Sequence, residues 1–283
     1  SPGVCKNTMD VCRWGNTLRV VAPIGVVDVL WYNQTLTQEL GLSDPHTMWE
    51  KGVWDWDTFK KFMLSIPKTT KDGRELVARV EWTSNIPFTW DKTNGKGYVD
   101  IVPDAEVPTI SNNWLDPQVI AAFEFVADIN KQVNFKCSSE RVAGTVKEHM
   151  GLYEGTTVMS ATMYTQVYRD TEYSKHVQIN WVPFPKSNNE GKGADVCQYY
   201  GWGMLLPKKT AKADNVSIAL KFMELWATRF TETLFDNLNT FEYYNFNYKQ
   251  RKQYFDFVTQ NVVFSAGGAT GTFGNMQQAW MGN

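Results

Sequence analysis

Asp28-Val-Leu-Trp-Tyr-Asn33, then Gly41-Leu-Ser-Asp-Pro45 and Trp49-Glu-Lys-Gly-Val-Trp54-Asp-Trp-Asp-Thr-Phe59, form the stretch on which the fold turns. Its opening, Val26 to Tyr32, is β-branched and aromatic and reads as a buried strand. Asn33 stops it. Gln34 to Leu40 has room for one short helix, which Gly41 closes. Asp44-Pro45 predicts a turn, because a residue before proline is pushed out of helical backbone. Asp57 is placed to cap a helix whose apolar face is Phe59, Phe62 and Met63.

Outward from this stretch, 283 residues exceed the size at which a single core stops growing, so two domains or lobes are expected. A net charge of −2 gives no electrostatic reason for a nucleic acid or an anionic membrane as partner. No apolar run reaches the ~18–20 residues of a membrane helix. No basic-then-apolar leader is visible, so any signal peptide is removed or lies upstream. Cys5, Cys12, Cys137 and Cys197 are too sparse for a disulfide framework; Cys5 and Cys12 are close enough for a local bridge in an oxidising compartment, and spacing leaves that open.

Further along, Leu76 to Trp82 alternates like a strand and Tyr98 to Val102 reads as a short edge strand. Asp116-Pro117 opens a helix with the stripe Val119, Phe123, Val126 and Ile129. A helix is expected over about 140–153, strands over 156–163 and 177–182, and a helix over about 214–229. Residues 231–258 read as helical and rich in aromatics.

Catalytic patterns are thin. His46, His149 and His176 are scattered and pair with nothing at metal-ligand spacing, and the cysteine spacings fit no zinc motif, so neither metal nor cofactor is expected. Gly267 to Gly274 lacks the lysine and preceding strand of a phosphate loop. Asp55 and Asp57 could imitate a glycosidase pair, but they flank a helix start, where aspartate caps. No enzyme activity is expected. Aromatics at 14%, with 12 tryptophans, suit a cleft that stacks on sugar rings.

The run Gly41 to Pro45 followed by Trp49 to Phe59 resembles the "Gly-Leu-x-Asp-Pro" and "Trp-Glu-x-Gly-x-Trp-x-Trp-Asp-x-Phe" pattern of the family 1 extracellular solute-binding proteins, the sugar-binding subunits of ABC importers. Gly155-Thr-Thr-Val-Met159 is similar to the family's "Gly-x-x-Ala-Met" strand, and Tyr199 to Pro207 to its second crossing strand. The resemblance implies an α/β, two-lobe periplasmic-binding-protein-like fold (type II). It assigns 1–30 and 203–283 to lobe one and 31–202 to lobe two, with Tyr32, Asn33, Gly201 and Gly203 at the hinge. It implies ligand contacts at Phe88, Trp90, Tyr164, Tyr200, Trp202 and Trp280. The expected ligand is an oligosaccharide or similar neutral solute, the partner a membrane permease, and the location extracellular or cell-surface, in the periplasm or lipid-anchored.

Two departures stand out. The family places a tryptophan about six residues beyond the methionine, where this chain has Thr165 with Tyr164 beside it. Several strand–helix units of lobe one also precede the Gly15–Pro23 segment in the family, whereas 16 residues precede Thr17 here. An incomplete or reduced first lobe is therefore expected, completed by another chain or segment. That leaves a second reading, the same fold used as a structural or adhesive module of an extracellular or virion assembly.

Overall fold

The computed structural model describes residues 13–14, 17–18, 26–82, 86–102, 109–138, 147–163, 177–188, 193–200, 216–226, 228–229 and 248–263. Two short strands, β1 (Arg13–Trp14) and β2 (Thr17–Leu18), pair antiparallel with each other. The strand expected from the opening motif follows as β3 (Val26–Asn33). Asn33 ends it by capping α1 (Gln34–Glu39): its Oδ1 accepts the Leu36 N–H, while its Nδ2 donates to the Leu152 carbonyl at 2.6 Å. Gly41 then takes φ of 69°, a conformation that side chains with a Cβ rarely adopt.

Asp44-Pro45 opens a helix rather than a free turn. Asp44 is held extended, as a residue before proline must be, and that is the backbone an N-cap needs. Its Oδ1 accepts the Thr47 N–H, and Pro45 takes the first position of α2 (Pro45–Glu50). At α3 (Trp56–Ser65) the cap is Asp55, which accepts from the Thr58 N–H, and Asp57 lies inside the first turn. The expected cap was two residues late. The apolar face of α3 is as anticipated, with Phe59, Phe62 and Met63 buried.

After α3 come β4 (Val77–Trp82), α4 (Ile86–Thr93), the antiparallel pair β5 (Val99–Val102) and β6 (Thr109–Asn112), and α5 (Pro117–Gln132). Asp116 caps α5, whose buried stripe is Val119, Ala122, Val126 and Ile129. Phe123, expected in that stripe, packs instead with Trp114 in a satellite cluster around Tyr98 and Val99. Then follow β7 (Phe135–Ser138), α6 (Lys147–Glu154), β8 (Thr157–Met163), β9 (Ile179–Val182), β10 (Cys197–Tyr200), α7 over 216–226, α8 (Tyr248–Asn261) and β11 (Val262–Val263).

Seven strands form the main sheet in the order β11-β10-β3-β8-β4-β7, with β9 also paired to β3. One side of β3 is taken by β8, antiparallel. The other is shared end to end by β10, against Val26–Asp28, and β9, against Leu30–Asn33. Strands β8, β4 and β7 run parallel. Val29, Leu30, Trp31 and Tyr32 are all fully buried, which explains why this stretch is continuously apolar instead of alternating. The main core joins Leu30 and Tyr32 to Trp54, Phe59, Met63, Trp90 and Phe184.

The helix α8 falls in 203–283, the part that the sequence division gives to lobe one, yet it packs on the body built from 31–202. Tyr254, Phe257 and Val258 are buried at i, i+3 and i+4. Tyr254 lies against Trp31 and Trp181, with ring centroids 5.7 and 5.3 Å apart. Phe257 meets Trp49 and Trp181 at 5.4 and 5.5 Å. Glu50 on α2 pins the helix from outside, accepting from Gln253 at 2.8 Å and pairing with Lys249 at 3.3 Å. Then β11 adds to the sheet parallel to β10. Truncating Phe257→Ala is therefore expected to cost about 3–5 kcal/mol in urea unfolding. A loss below about 1 kcal/mol would show that this helix does not carry the packing.

Candidate functional site

Open α/β sheets bind ligands beyond the carboxyl ends of their parallel strands. Here Trp82, Ser138 and Met163 end β4, β7 and β8 at one edge of the sheet. The antiparallel β3 starts at the same edge with Val26, and β10 finishes there with Tyr200, paired to Val26. The segments that leave this edge, 83–85, 139–146, 164–176 and 201–215, lie outside the described residues. So do four of the expected positions, Tyr164, Gly201, Trp202 and Gly203, and also Trp280. The backbone places Phe88 in the first turn of α4, just after β4, and Tyr200 at the last position of β10.

Trp90 does not stand free to meet a ligand. It is fully buried, 5.3 Å from both Phe59 and Phe184, and its indole N–H donates to Glu81 Oε1 at 3.0 Å. The cause is that this end of α4 is enclosed on nearly all sides, with Thr89, Trp90, Asp91 and Thr93 all buried. A ring with no exposed face cannot stack on a sugar, so in this conformation Trp90 is core.

Tyr32 and Asn33, expected at the hinge, are buried and bonded. The Tyr32 hydroxyl donates to Asp44 Oδ2 at 2.8 Å, and Gln34 Nε2 donates to the same oxygen at 2.9 Å. Burial would raise the Asp44 carboxyl, but hydrogen bonds from the Thr47 backbone, Tyr32 and Gln34 hold it below its ordinary range. Burial, reinforced by Asp44, pushes the Tyr32 phenol far above its usual value.

Behind the edge lies a buried ion pair that sequence reading missed. Arg79 and Glu81, two apart on β4, are both fully buried with 3.2 Å between Nη2 and Oε2. Arg79 Nη2 also donates to Asn130 Oδ1 at 2.7 Å, and its guanidinium stands 5.0 Å from the rings of Trp90 and Phe135. Burial pushes Glu81 up, while the Arg79 charge and the Trp90 hydrogen bond pull it down. The alternation Arg79-Val80-Glu81 was the available signal, since it puts both charges on one face. Through Trp90 and Asn130 the pair ties β4 to α4 and α5.

Asp91, also buried, accepts the Lys92 and Tyr98 N–H groups, both at 2.7 Å. Lys92 in turn pairs with Asp100 on β5, so the β5–β6 hairpin is clamped to the end of α4. The acidic pair considered as catalytic has a structural task at one member, the Asp55 cap. His46 is buried edge-on between Trp49 and Trp181, with Nδ1 2.8 Å from the Trp181 carbonyl oxygen. Among the described residues no group of three or more His, Cys, Asp or Glu side chains is placed to hold a metal.

No family model matches the sequence, and no curated protein matches it. Solved structures match the fold. The sugar-binding protein MalE from the phytopathogen Xanthomonas citri superposes with a TM-score of 0.64 at 13% identity, over 93% of this chain and 64% of that one. The chain has the fold of the ABC substrate-binding proteins. UgpB from Mycobacterium tuberculosis, solved with glycerophosphocholine, gives 0.55 at 15% identity, over 94% and 64%. The ABC substrate-binding protein Lmo0181 from Listeria monocytogenes, solved with cycloalternan, gives 0.59 at 12% identity, over 93% and 65%. The chain thus spans slightly less than two thirds of the length of these neighbours. The α/β, periplasmic-binding-protein-like architecture is the one expected from the sequence.

The clamp predicts a pH dependence. Burial pushes the Asp91 carboxyl up to about 7, against bonds from Lys92 and Tyr98 that favour its charged form. A carboxyl raised on folding takes up a proton as the chain folds. Its contribution is therefore favourable below the unfolded value near 4, weakens as pH rises, and levels off above about 7, by up to about 4 kcal/mol. Glu81 and Asp195, also raised by burial, act in the same sense. Urea midpoints measured from pH 4 to 8 should fall with rising pH, and Asp91→Asn should flatten the slope. An unchanged slope in that variant would refute the assignment.

Proposed function

We propose that this chain binds a neutral sugar of oligosaccharide size between two lobes and presents it to the membrane permease of an ABC importer, outside the cytoplasm and without chemical turnover. The observation that carries the reading is the pairing of the two crossing strands, Val26, Val27 and Asp28 against Tyr200, Tyr199 and Gln198, at the carboxyl-end edge. Two strands that leave one lobe side by side make a hinge that bends without breaking the sheet behind it. Tyr32 and Asn33 are too deeply bonded to flex much, so the pivot lies at and before Val26–Asp28 and at Gly201 and Gly203. In this reading lobe two comprises 31–202 joined by α8 and β11, and the remaining parts of 1–30 and 203–283 belong to lobe one.

The sugar would lie over the edge, stacked by aromatic plates drawn from Phe88, Tyr164, Tyr200, Trp202 and Trp280. Closure follows only to the extent that the ligand prefers the closed form. Two of the neighbours are described as sugar-binding or hold cycloalternan, and one holds glycerophosphocholine. The test is calorimetric titration of the purified chain with malto- and other oligosaccharides, alongside small-angle scattering. Saturable binding is expected with a decrease in radius of gyration, and Tyr200→Ala should weaken it about tenfold, the value of one aromatic contact. Failure of every sugar to bind, or binding with an unchanged radius, would overturn the reading.

A further inference from the structure

Helix α7, over 216–226, carries two apolar stripes. Val216, Ala219, Met223 and Trp226 recur at spacings of three and four and are half-buried or, at Met223, buried. Ile218, Phe222 and Leu225, at i, i+4 and i+7, form the second stripe about a third of a turn away. These three are 70%, 62% and 55% exposed. One apolar stripe is enough to seat a surface helix, so the second answers to no packing that the described residues show.

Such a concentration occurs nowhere else among the described residues. The other large apolar side chains that stand exposed, Val53, Leu64, Leu115 and Ile120, fall no more than one to an element. Leu220 on α7 is exposed too, but it lies beyond Lys221 and Glu224, which pair with each other at 3.3 Å and border the stripe. The stripe offers on the order of 400 Å2 of accessible surface, within the range of the largest apolar patch on a typical monomer, which is often a functional one.

Length points to what covers it. The solved neighbours superpose on 93–94% of this chain, yet this chain spans only 64–65% of theirs. About a third of each neighbour therefore has no counterpart here, and in each it belongs to the same chain as the part that matches. We propose, on the two-lobe reading that assigns α7 to lobe one, that the outer stripe of α7 is the seat of the third of the fold that these 283 residues do not span, carried on the same polypeptide. An apolar face of that segment covers Ile218, Phe222 and Leu225, and the Lys221–Glu224 pair stays in water at the rim.

The test is carbene footprinting of the 283-residue protein beside the full product of its reading frame, since a photolysed diazirine labels the side chains that solvent reaches. Ile218, Phe222 and Leu225 should label heavily in the first and several-fold less in the second, while Leu64 and Leu115 label equally in both. Phe222→Lys should leave the urea midpoint of the 283-residue protein unchanged and lower that of the full product. Equal labelling of the stripe in the two forms, a reading frame that adds nothing to these residues, or an unchanged midpoint in the full product would each overturn the proposal. So would a dimer of the full product, or its binding to lipid vesicles, that Phe222→Lys abolishes, because the stripe would then be open to a second copy or a membrane. Sugar titration reads separately: protection of the stripe without sugar binding keeps this packing and removes only the transport reading.

Discussion

Everything in this fold depends on the double-sided pairing of β3. A strand whose four central residues are fully buried must satisfy its backbone on both sides, because each buried unpaired group costs about 1–3 kcal/mol. β8 meets that requirement along one side. The other side needs two strands in succession, β9 against the second half and β10 against the first. The chain therefore has to bring residues 179–182 and 197–200, far apart in sequence from β3, to one line. That single requirement puts β3 and β10 side by side at the carboxyl-end edge of the sheet.

The tryptophans show how aromatic mass is divided between holding the fold and marking its surface. Trp54 spends its indole N–H on the Pro183 carbonyl at 2.9 Å and its ring on Phe59 and Phe62. Trp56 stacks on Phe125 at 4.3 Å with the planes only 9° apart, fastening α3 to α5. Trp49 reaches the other way, to Trp181 and Phe257, and donates to Asp195 at 3.1 Å. Three residues that look like one motif thus join three separate parts of the chain. The aromatic wall that Trp49 builds with Trp181, beside Trp31, is also what captures α8.

Buried charge is placed where rigidity serves the edge. The Arg79–Glu81 pair is costly to desolvate and is not by itself evidence of stability. Its geometric effect is clear, because Glu81 holds Trp90 and Arg79 holds Asn130, and so β4, α4 and α5 move as one. Asp91 extends the same logic to the β5–β6 hairpin. The carboxyl-end edge of β4 is thereby backed by α4, α5 and the hairpin together.

The local elements were legible in the sequence because their causes are local. The β-branched run Val26–Tyr32, the apolar face Phe59-Phe62-Met63 and the Asp116-Pro117 start of α5 each announce themselves within a few residues. Even the errors at Asp44 and Asp57 were shifts of role within one turn. The pattern around Gly41–Phe59 reached further and pointed to the architecture that the solved structures share. What only the tertiary structure decided was direction and company. That Trp90 belongs to the core depends on its enclosure by Phe59, Phe184 and Glu81. The attachment of α8 depends on an aromatic wall assembled from β3, α2 and β9. Both are set by contacts between residues tens to hundreds of positions apart, and no local period in the sequence carries that information.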